Sequence, residues 1–573
     1  MQSMARRVTL VSRRRPHAPR PTPRRTLSKG TFALRSPPRI CENDALMQFH
    51  RKFFGFLLVA LLLTPVTAEA RLAPNERFSM VSLGMAYLNQ WDLDNARKVL
   101  DTLRKDSPKD TVVQYYEAQV LFHEGDYKAA EKVIDGFTTM PVIQGVEEFI
   151  ALVRATNKAT APMRRHQTKH FDIYYLPGRD EILLPYAEET LEKAYERIGA
   201  DLQFKPTERI RVEIYPDSDS FIAATPLTRQ EIETSGTIAL CKYNRILITT
   251  PRMLVRGYAW RDTLVHEYVH YILSRKSRNQ VPLWLHEGIA KFQEQRWRSN
   301  EIGNMSPLAE SLLAEALEKD YFITLNQMHP SLAKLESAED TQLAFAQVET
   351  MVGFLVRKGG YPKLLKLIDE FTQGANQSVA LRNTGGWANV DVFLEEWKAF
   401  LSERGLKKVP GRTVLQTTIK DNGDSEDRED LQSVQDETAR KHVRLGDMLR
   451  DRERFAAAAY QYERAREASP GVHPVLLHKL GLAYMRADKL DQAQAVLESV
   501  VKVYPQYGPA NLRLGEIHVK RSDYARARDY LEQAVGVNPF DPAVHTLLLQ
   551  VYRQLDEKEL VKREQKVLSI LRR

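Results

Sequence analysis

The sequence predicts an α+β domain in the middle of the chain, flanked on both sides by all-α helical repeats. Three observations predict this architecture: a 34-residue period near both ends, short β-branched runs before residue 250, and a helix with paired histidines at 263–273. A chain of 573 residues is too long for one hydrophobic core, so several domains are expected. Its composition, 43% hydrophobic and 27% charged, is typical of globular protein and excludes a fibrous or multi-span membrane protein.

The C-terminal repeats are visible as recurring small residues and prolines. Gly446, Gly481 and Gly515 stand 35 and 34 residues apart, and a series of alanines and a series of prolines keep the same steps. Small residues let two helices approach closely, and a proline shortly after a helix prevents its continuation. The pattern therefore predicts paired helices over residues 439–573.

The same period occurs near the other end of the chain. Gly84 aligns with Ala118, and Ala96 aligns with Ala130, each pair 34 residues apart. These positions predict helical repeats over residues 71–160. Both sets resemble tetratricopeptide repeats, a class of helix pairs, and the resemblance implies concave surfaces that bind substrate or partner proteins.

Between the repeats, the pattern changes to that of a mixed sheet followed by helices. Phe171–Tyr175 and Ile210–Tyr215 are alternating or β-branched runs, which predict strands, and a helical stretch from about Leu184 to Ile198 separates them. Gly236–Thr250 predicts two further strands. The predicted divisions are a sheet with the candidate site helices at 165–300, a helical lobe at 301–404 and an acidic linker at 405–438.

Basic residues are concentrated at the start of the chain. Residues 1–46 hold ten arginines and Lys29 against two acids, and so carry the whole formal charge of +9. The rest of the chain is nearly neutral, which argues against nucleic acid as a partner. Residues 47–70 then follow the pattern of a secretory signal peptide: a basic start, the apolar run Phe53–Leu63, and a small-residue cleavage site after Ala70.

The signal predicts an exported protein, in the periplasm or cell envelope of a bacterium. An uncleaved signal anchor is the alternative, and it is the only membrane contact expected. Since a signal peptide should start a chain, translation from Met47 is one interpretation of the basic Pro/Arg-rich extension 1–46, and a basic arm or transit segment is the other. Cys241 is the only cysteine after the leader, which excludes an internal disulfide and a cysteine metal cluster. We interpret it as a buried structural thiol.

The predicted helix Thr263–Leu273 contains the candidate site. His266 and His270 are one turn apart on one face, so both imidazoles can reach one Zn²⁺ ion. Glu267 is adjacent to the first histidine, where it can accept a proton from the water that zinc activates. A catalytic zinc has three protein ligands and one open position, so a third ligand is required.

Glu287 follows seventeen residues after His270, within Trp284-Leu285-His286-Glu287-Gly288. With the histidine helix, this segment resembles the gluzincin metallopeptidases, specifically the bacterial peptidase MA-like group, over about residues 168–402. The resemblance implies a zincin fold in which His266, His270 and Glu287 bind zinc and Glu267 is the catalytic base. His286 is a rival third ligand, over which the resemblance favours Glu287.

These residues predict a zinc metallopeptidase that hydrolyses peptide bonds, acting on a protein or peptide substrate that pairs with a strand in Gly236–Thr250. One residue departs from the family pattern: relatives often have tyrosine, which stabilises the oxyanion, where this chain has Phe345. A weakly active or inactive zincin that acts as a protein-binding scaffold is therefore the alternative. We assign no catalytic role to the other possible donors, Tyr271, His286, Tyr321, His329 and Tyr361.

Overall fold

The computed structural model describes residues 72–301, 303, 305–413, 419, 434 and 436–572, except for the side chains of 233–235. The predicted extension 1–46 and signal peptide 47–70 lie outside the described residues, as does most of the predicted linker 405–438. All described residues belong to one compact unit. Within them, no helix combines the length and the apolar character needed to cross a membrane.

The N-terminal repeats are five helices. Their bounds are α1 (Pro74–Asn89), α2 (Leu93–Asp106), α3 (Thr111–Glu124), α4 (Tyr127–Asp135) and α5 (Val146–Thr160). Aspartates at the N-caps of α2, α3 and α4 accept hydrogen bonds from the first turn, which fixes where each helix begins. A Cβ atom at Gly84 would lie 2.2 Å from the ring of Tyr116, so the glycine is needed for α1 and α3 to pack.

A mixed sheet of five strands follows in the described chain. Its strands are β1 (Arg164–Gln167), β2 (Phe171–Tyr175), β3 (Ile210–Tyr215), β4 (Ala239–Lys242) and β5 (Arg245–Thr249). Their order is β1-β2-β3-β5-β4; β2, β3 and β5 are parallel, and the outer strands β1 and β4 are antiparallel to their neighbours. Tyr243 and Asn244 both have positive φ, as in the two-residue turns that join antiparallel strands, and β4 is an edge strand.

One buried carboxylate joins the N-terminal repeats to this sheet. Glu213 on β3 is fully buried and accepts hydrogen bonds from Tyr127 of α4 and from Arg211, the latter at 2.5 Å. Arg245, also fully buried, has its Nε 3.4 Å from Glu213 and donates from Nη1 to the carbonyl of Phe122 at 3.2 Å. Because a buried charge is tolerated only when it is paired, these contacts fix how α3 and α4 lie on the sheet.

Helices form the rest of the central domain. Their bounds are α6 (Leu184–Asp201), α7 (Ser218–Ala223), α8 (Arg229–Ser235), α9 (Trp260–Ser277), α10 (Leu283–Gln293), α11 (Pro307–Lys319), α12 (Leu325–Met328), α13 (Ala338–Thr372, interrupted at Gly359 and Gly360), α14 (Gln377–Gly385) and α15 (Val390–Glu403). Helix α9 contacts β4, β5, α6 and α10, and it is buried along nearly its whole length. A helix surrounded in this way is held rigidly, which suits it to position a site.

The C-terminal repeats are eight helices. Their bounds are α16 (Glu437–Arg450), α17 (Phe455–Ala468), α18 (Pro474–Arg486), α19 (Leu490–Val503), α20 (Gly508–Lys520), α21 (Tyr524–Val535), α22 (Pro542–Gln554) and α23 (Lys558–Leu571). A Cβ atom at Gly481 or Gly515 would lie within 2.7 Å of a leucine side chain on the paired helix. The glycine period therefore marks helix contacts, and the predicted fold class, an α+β domain between all-α repeats, is confirmed.

Candidate metal centre

Two helices bring three possible metal ligands together. His266 and His270 lie one turn apart on α9, and Glu287 faces them from α10. The Oε2 atom of Glu287 is 3.4 Å from Nε2 of His266 and 3.4 Å from Nε2 of His270. The structure thus places the predicted carboxylate on the Nε2 side of both imidazole rings.

These separations fit a tetrahedral zinc ion. Ligand atoms about 2.0–2.1 Å from a tetrahedral zinc are about 3.3 Å from one another. The candidate ligand atoms of His266, His270 and Glu287 all lie within 4.8 Å of one another. No other group of three His, Cys, Asp or Glu side chains in the described part of the chain meets the same distance. Three is also the number of protein ligands in a catalytic zinc site.

Gly288 sets the position of α10. A Cβ atom at this residue would lie 2.5 Å from the backbone oxygen of Val348 on α13. Only glycine allows α10 to approach α13 this closely, and the approach holds the preceding Glu287 against α9. Any larger residue at position 288 would have to push the two helices apart.

Glu267 lies between the histidine pair and the edge strand. Its side chain is buried, and burial raises the pKa of the carboxyl, although both histidines and a backbone hydrogen bond from Cys241 act in the opposite direction. Cys241 belongs to β4, so the carboxyl lies beside the strand on which a peptide could pair. A carboxyl group in this place, with a raised pKa, is suited to accept and return a proton.

The ligand groups interact strongly with one another. Burial alone would lower the pKa of His266, but the carboxylates of Glu287 and Glu294 raise it to about 10. Burial opposes ionisation of Glu287, yet His270 and His266 hold the pKa of its carboxyl well below the ordinary value. The cluster therefore carries the negative charge and the basic nitrogens that a divalent cation requires.

His286 lies on the other edge of the His270 ring. Its Nδ1 is 2.6 Å from Nδ1 of His270, and its Nε2 is 3.3 Å from Oγ of Ser274. With a metal ion bound at Nε2 of His270, the ring proton would lie on Nδ1, which would donate to Nδ1 of His286, and Nε2–H of His286 would then donate to Oγ of Ser274. His286 is thus placed to orient the His270 ring, while Glu287 lies on the Nε2 side, where it could serve as a third ligand.

We expect His286→Ala to weaken zinc binding by about 10- to 100-fold, because the partner that fixes the His270 ring is lost. Competition with a chromophoric zinc chelator measures the change. His286→Asn keeps an acceptor for His270 and serves as the conservative control, which we expect to retain most of the affinity. Complete loss of zinc in His286→Ala would make His286 a ligand, and an unchanged affinity would remove its orienting role.

Sequence reasoning missed a second residue that orients a ligand. Oε2 of Glu294 is 3.8 Å from Nδ1 of His266, and Oε1 of Glu294 is 2.6 Å from Nζ of Lys291. Burial opposes ionisation of Glu294, but Lys291 and His266 lower the pKa of its carboxyl to about 2. The sequence signal for Glu294 was its spacing: a residue seven positions after Glu287 lies two turns further along the same helix face.

A further acid, Glu349, lines the same cavity from α13. It is 8% exposed, and no hydrogen bond or ion pair from the described residues reaches its carboxylate. Burial raises the pKa of Glu349 to about 7, an effect that Lys291 partly opposes. The folded protein therefore retains a proton that the unfolded chain releases between pH 4.5 and about 7.

The free energy of unfolding of the wild-type protein should therefore fall by on the order of 3 kcal/mol as the pH rises through this window and Glu349 ionises. We expect Glu349→Gln, which cannot ionise, to be more stable than the wild type by that amount at pH 8 and to show no gain below pH 4.5. Urea unfolding at pH 4.5 and pH 8 measures the difference. Glu395→Gln on the exposed face of α15 is the control, and an equal gain in that variant would contradict the assignment.

The site opens into a large chamber. Its volume is approximately 1430 Å³, and its walls include the four site residues, the edge strand β4, and parts of both sets of repeats. The Phe345 ring lines it, 6.1 Å from the ring of His266. Of the five possible oxyanion donors named from the sequence, His286 lines the chamber, and the lining does not include the other four: Tyr271, Tyr321, His329 and Tyr361.

Three segments of the chain match known families. Residues 187–403 match the model of the Peptidase MA superfamily, and residues 81–138 and 484–551 match tetratricopeptide repeat models. A search of curated proteins returns no match.

Two solved structures show how distant the similar proteins are. Leukotriene A4 hydrolase from Saccharomyces cerevisiae is 13% identical, over 72% of this chain and 67% of that chain, with a TM-score of 0.28. The structure of pilF from Pseudomonas aeruginosa is 17% identical, over 38% of this chain and 87% of that chain, with a TM-score of 0.21. TM-scores this low do not establish a shared fold.

The superfamily that residues 187–403 match is typically metal-dependent, and the His/Glu cluster of α9 and α10 lies inside the matched segment. The chain therefore carries a peptidase MA superfamily domain, a peptidase-type hydrolase domain, between two sets of tetratricopeptide repeats.

Proposed function

We propose that this protein is an exported zinc metallopeptidase that hydrolyses peptide bonds, with tetratricopeptide repeats that bind substrate or partner proteins. The observation that carries the proposal is the spacing of His266, His270 and Glu287, which fits a tetrahedral zinc beside the carboxyl of Glu267. Zinc, when bound, activates a water molecule and polarises the carbonyl of the peptide bond.

The chain's own residues supply the proton transfers and the substrate position. Glu267 accepts a proton from the attacking water at its carboxylate and then donates that proton to the amine that leaves. The free edge of β4 can pair with an extended peptide backbone, which would bring the scissile bond next to Glu267 through the contact with Cys241. His286 and Glu294 hold the two histidine rings in place during this cycle.

Export is part of the proposal, supported by the signal pattern over residues 47–70. The periplasm or cell envelope of a bacterium is the proposed location. An exported chain that begins at Arg71 would agree with cleavage after Ala70, and a retained leader would favour the uncleaved anchor.

A second candidate is a protein-binding scaffold whose zincin domain has little or no activity. Phe345 favours it, because the ring that lines the chamber near His266 has no hydroxyl to stabilise an oxyanion. Loss of one such donor typically lowers kcat by about 10²- to 10³-fold.

One experiment decides between the two candidates. The full chain is expressed in a bacterium, recovered from the periplasm, and analysed for its N-terminus, its zinc content and its cleavage of an unfolded protein, with and without a chelator. Stoichiometric zinc and chelator-sensitive cleavage would support the peptidase. Zinc without any cleavage would favour the scaffold, and absence of zinc would exclude the metal site.

A further inference from the structure

The C-terminal repeats form part of the chamber wall around the metal centre. The turn between α19 and α20, the start of α20 and one face of α21 contribute the following lining residues: Tyr504, Gln506, Tyr507, Asn511, Tyr530 and Gln533. The N-terminal repeats contribute Leu88, Gln119 and His123 to another part of the wall. Segments from three widely separated parts of the sequence thus enclose one cavity.

One contact attaches this wall directly to the helix that carries the histidines. Nε2 of Gln506 donates to Oδ2 of Asp262 at 3.2 Å, and Asp262 lies one turn before His266 on α9. Asp262 is buried, and it also accepts hydrogen bonds from Trp297 at 2.9 Å and Arg298 at 2.6 Å. Asp262, which Trp297 and Arg298 hold in place, therefore anchors the turn before α20.

The backbones of the two parts also touch. The amide of Tyr258 donates to the carbonyl of Val537 at 3.2 Å. Gly257 has a φ of +70°, and a Cβ atom there would lie only 2.3 Å from that same carbonyl oxygen. Glycine is required at this position both for its backbone conformation and for the close approach.

A second anchor lies at the end of the chain. The hydroxyl of Tyr186 on α6 donates to Glu564 of α23 at 3.0 Å, His545 lies 2.6 Å from the same carboxylate, and Arg563 stacks over the Tyr186 ring. Tyr186, His545 and Glu564 are all fully buried. Opening this interface would remove the buried hydrogen bond from Tyr186, while His545 and Arg563 would stay paired with Glu564 within the C-terminal repeats.

Apolar packing continues across the same interface. Leu531, Leu548 and Val567 of the C-terminal repeats belong to one hydrophobic core with Leu191 and Trp260 of the central domain. Domains in one chain move relative to each other unless their interface is large and hydrophobic. A continuous core together with two polar anchors holds these repeats in place.

We propose that the C-terminal repeats are a fixed wall of the metal-site chamber, and that this wall restricts the substrates of the peptidase to extended, unfolded polypeptide. The inference rests on the proposed function, whose substrate class it specifies. The cavity volume of approximately 1430 Å³ is far smaller than a folded domain of 100 residues, whose radius of gyration is about 13 Å, so such a domain cannot enter it. An extended segment fits such a space, and the edge of β4 offers it backbone partners.

The wall is tested without reference to activity by labelling Cys241, a free thiol that lines the chamber and is only partly buried, contrary to its interpretation from the sequence as a buried thiol. In full-length protein carrying Cys41→Ser, a small maleimide is compared with one attached through a short linker to a compact folded protein, which is too large for the chamber. For each reagent, the rate of Cys241 labelling in the folded protein is divided by the rate in the unfolded chain. We expect the large reagent to react at least about 10-fold more slowly, because it requires opening of the wall.

Two glycine variants provide a matched pair for this measurement. Gly257→Val forces a side chain against the Val537 carbonyl and should remove most of the difference between the reagents. Gly405→Val imposes a similar backbone strain, at a φ of +62°, with no neighbour within 4 Å, and should leave the difference unchanged. The proposal would be overturned if, in the Cys41→Ser protein with no further substitution, both reagents had the same rate relative to the unfolded chain. This outcome can be read whether or not Gly257→Val folds.

The substrate class is tested with one protein offered in its folded and in its reduced, carboxymethylated form. We expect the unfolded form to be cut about 1,000-fold faster or more, because a stable domain is unfolded less than about one part in 1,000 of the time. Equal cleavage of both forms would overturn the inference and leave the peptidase intact. If neither form is cleaved, the proposed peptidase activity and its substrate class are rejected. If Cys241 is still protected from the large reagent in that case, the wall is nevertheless supported.

Discussion

Glu267→Gln should lower kcat for peptide hydrolysis by about 10²- to 10⁴-fold, the usual contribution of a general acid–base residue. The amide keeps the size and the buried position of the carboxylate but cannot accept a proton from water. Since Glu267 is outside the group formed by His266, His270 and Glu287, the variant should bind zinc as the wild type does. Initial rates on an unfolded protein, with zinc measured on the same samples, give both quantities.

Glu395→Gln, an exposed substitution on α15, is the matched control and should retain full activity. Activity of Glu267→Gln within a factor of a few of the wild type would contradict the assigned base. Loss of zinc together with activity would mean instead that Glu267 contributes to holding the metal.

Glu287→Ala should abolish stoichiometric zinc binding, because it removes the carboxylate that faces Nε2 of both histidines. In the wild type, free zinc at 1,000 times its dissociation constant stabilises the folded state by about 4 kcal/mol. We expect this stabilisation to be absent from the variant. Thermal unfolding with and without added zinc compares the two proteins, and the chelator competition used for His286→Ala gives the affinity.

The contrast with His286→Ala makes this test specific. Both side chains are partly buried beside His270, but only Glu287 lies on the Nε2 side of its ring. A variant of Glu287 that still binds one zinc ion per chain with near wild-type affinity would refute the ligand set. Equal losses from both substitutions would indicate that His286 also binds the metal.

Much of the central domain could be predicted from the sequence because its signals are local. Phe171–Tyr175 and Ile210–Tyr215 alternate or are β-branched, and both are strands. Arg164–Gln167 was missed because its four polar residues are mostly exposed and carry no apolar pattern. The one-turn spacing of His266 and His270 is equally local, and the structure keeps it.

Contacts between distant segments left no such signal. Gln506 and Asp262 are separated by 244 positions, and neither residue type is unusual in its surroundings. The repeat period predicted helix pairs but carried no information on which side of the central domain they pack. Glu349 was also missed, since burial of an acid depends on what surrounds it in three dimensions and leaves no trace in its spacing along the chain.

The buried Glu213 also limits how this architecture can be rearranged, by evolution or by engineering. Arg211 and Arg245 of the sheet balance its charge, but one of its hydrogen bonds comes from outside the sheet, from Tyr127 of the N-terminal repeats. A chimera that grafted foreign repeats onto the central domain without an equivalent of Tyr127 would remove one hydrogen bond from this buried carboxylate, which typically costs about 1–3 kcal/mol. Foreign repeats grafted onto the central domain must therefore supply a hydrogen-bond donor in the place of Tyr127.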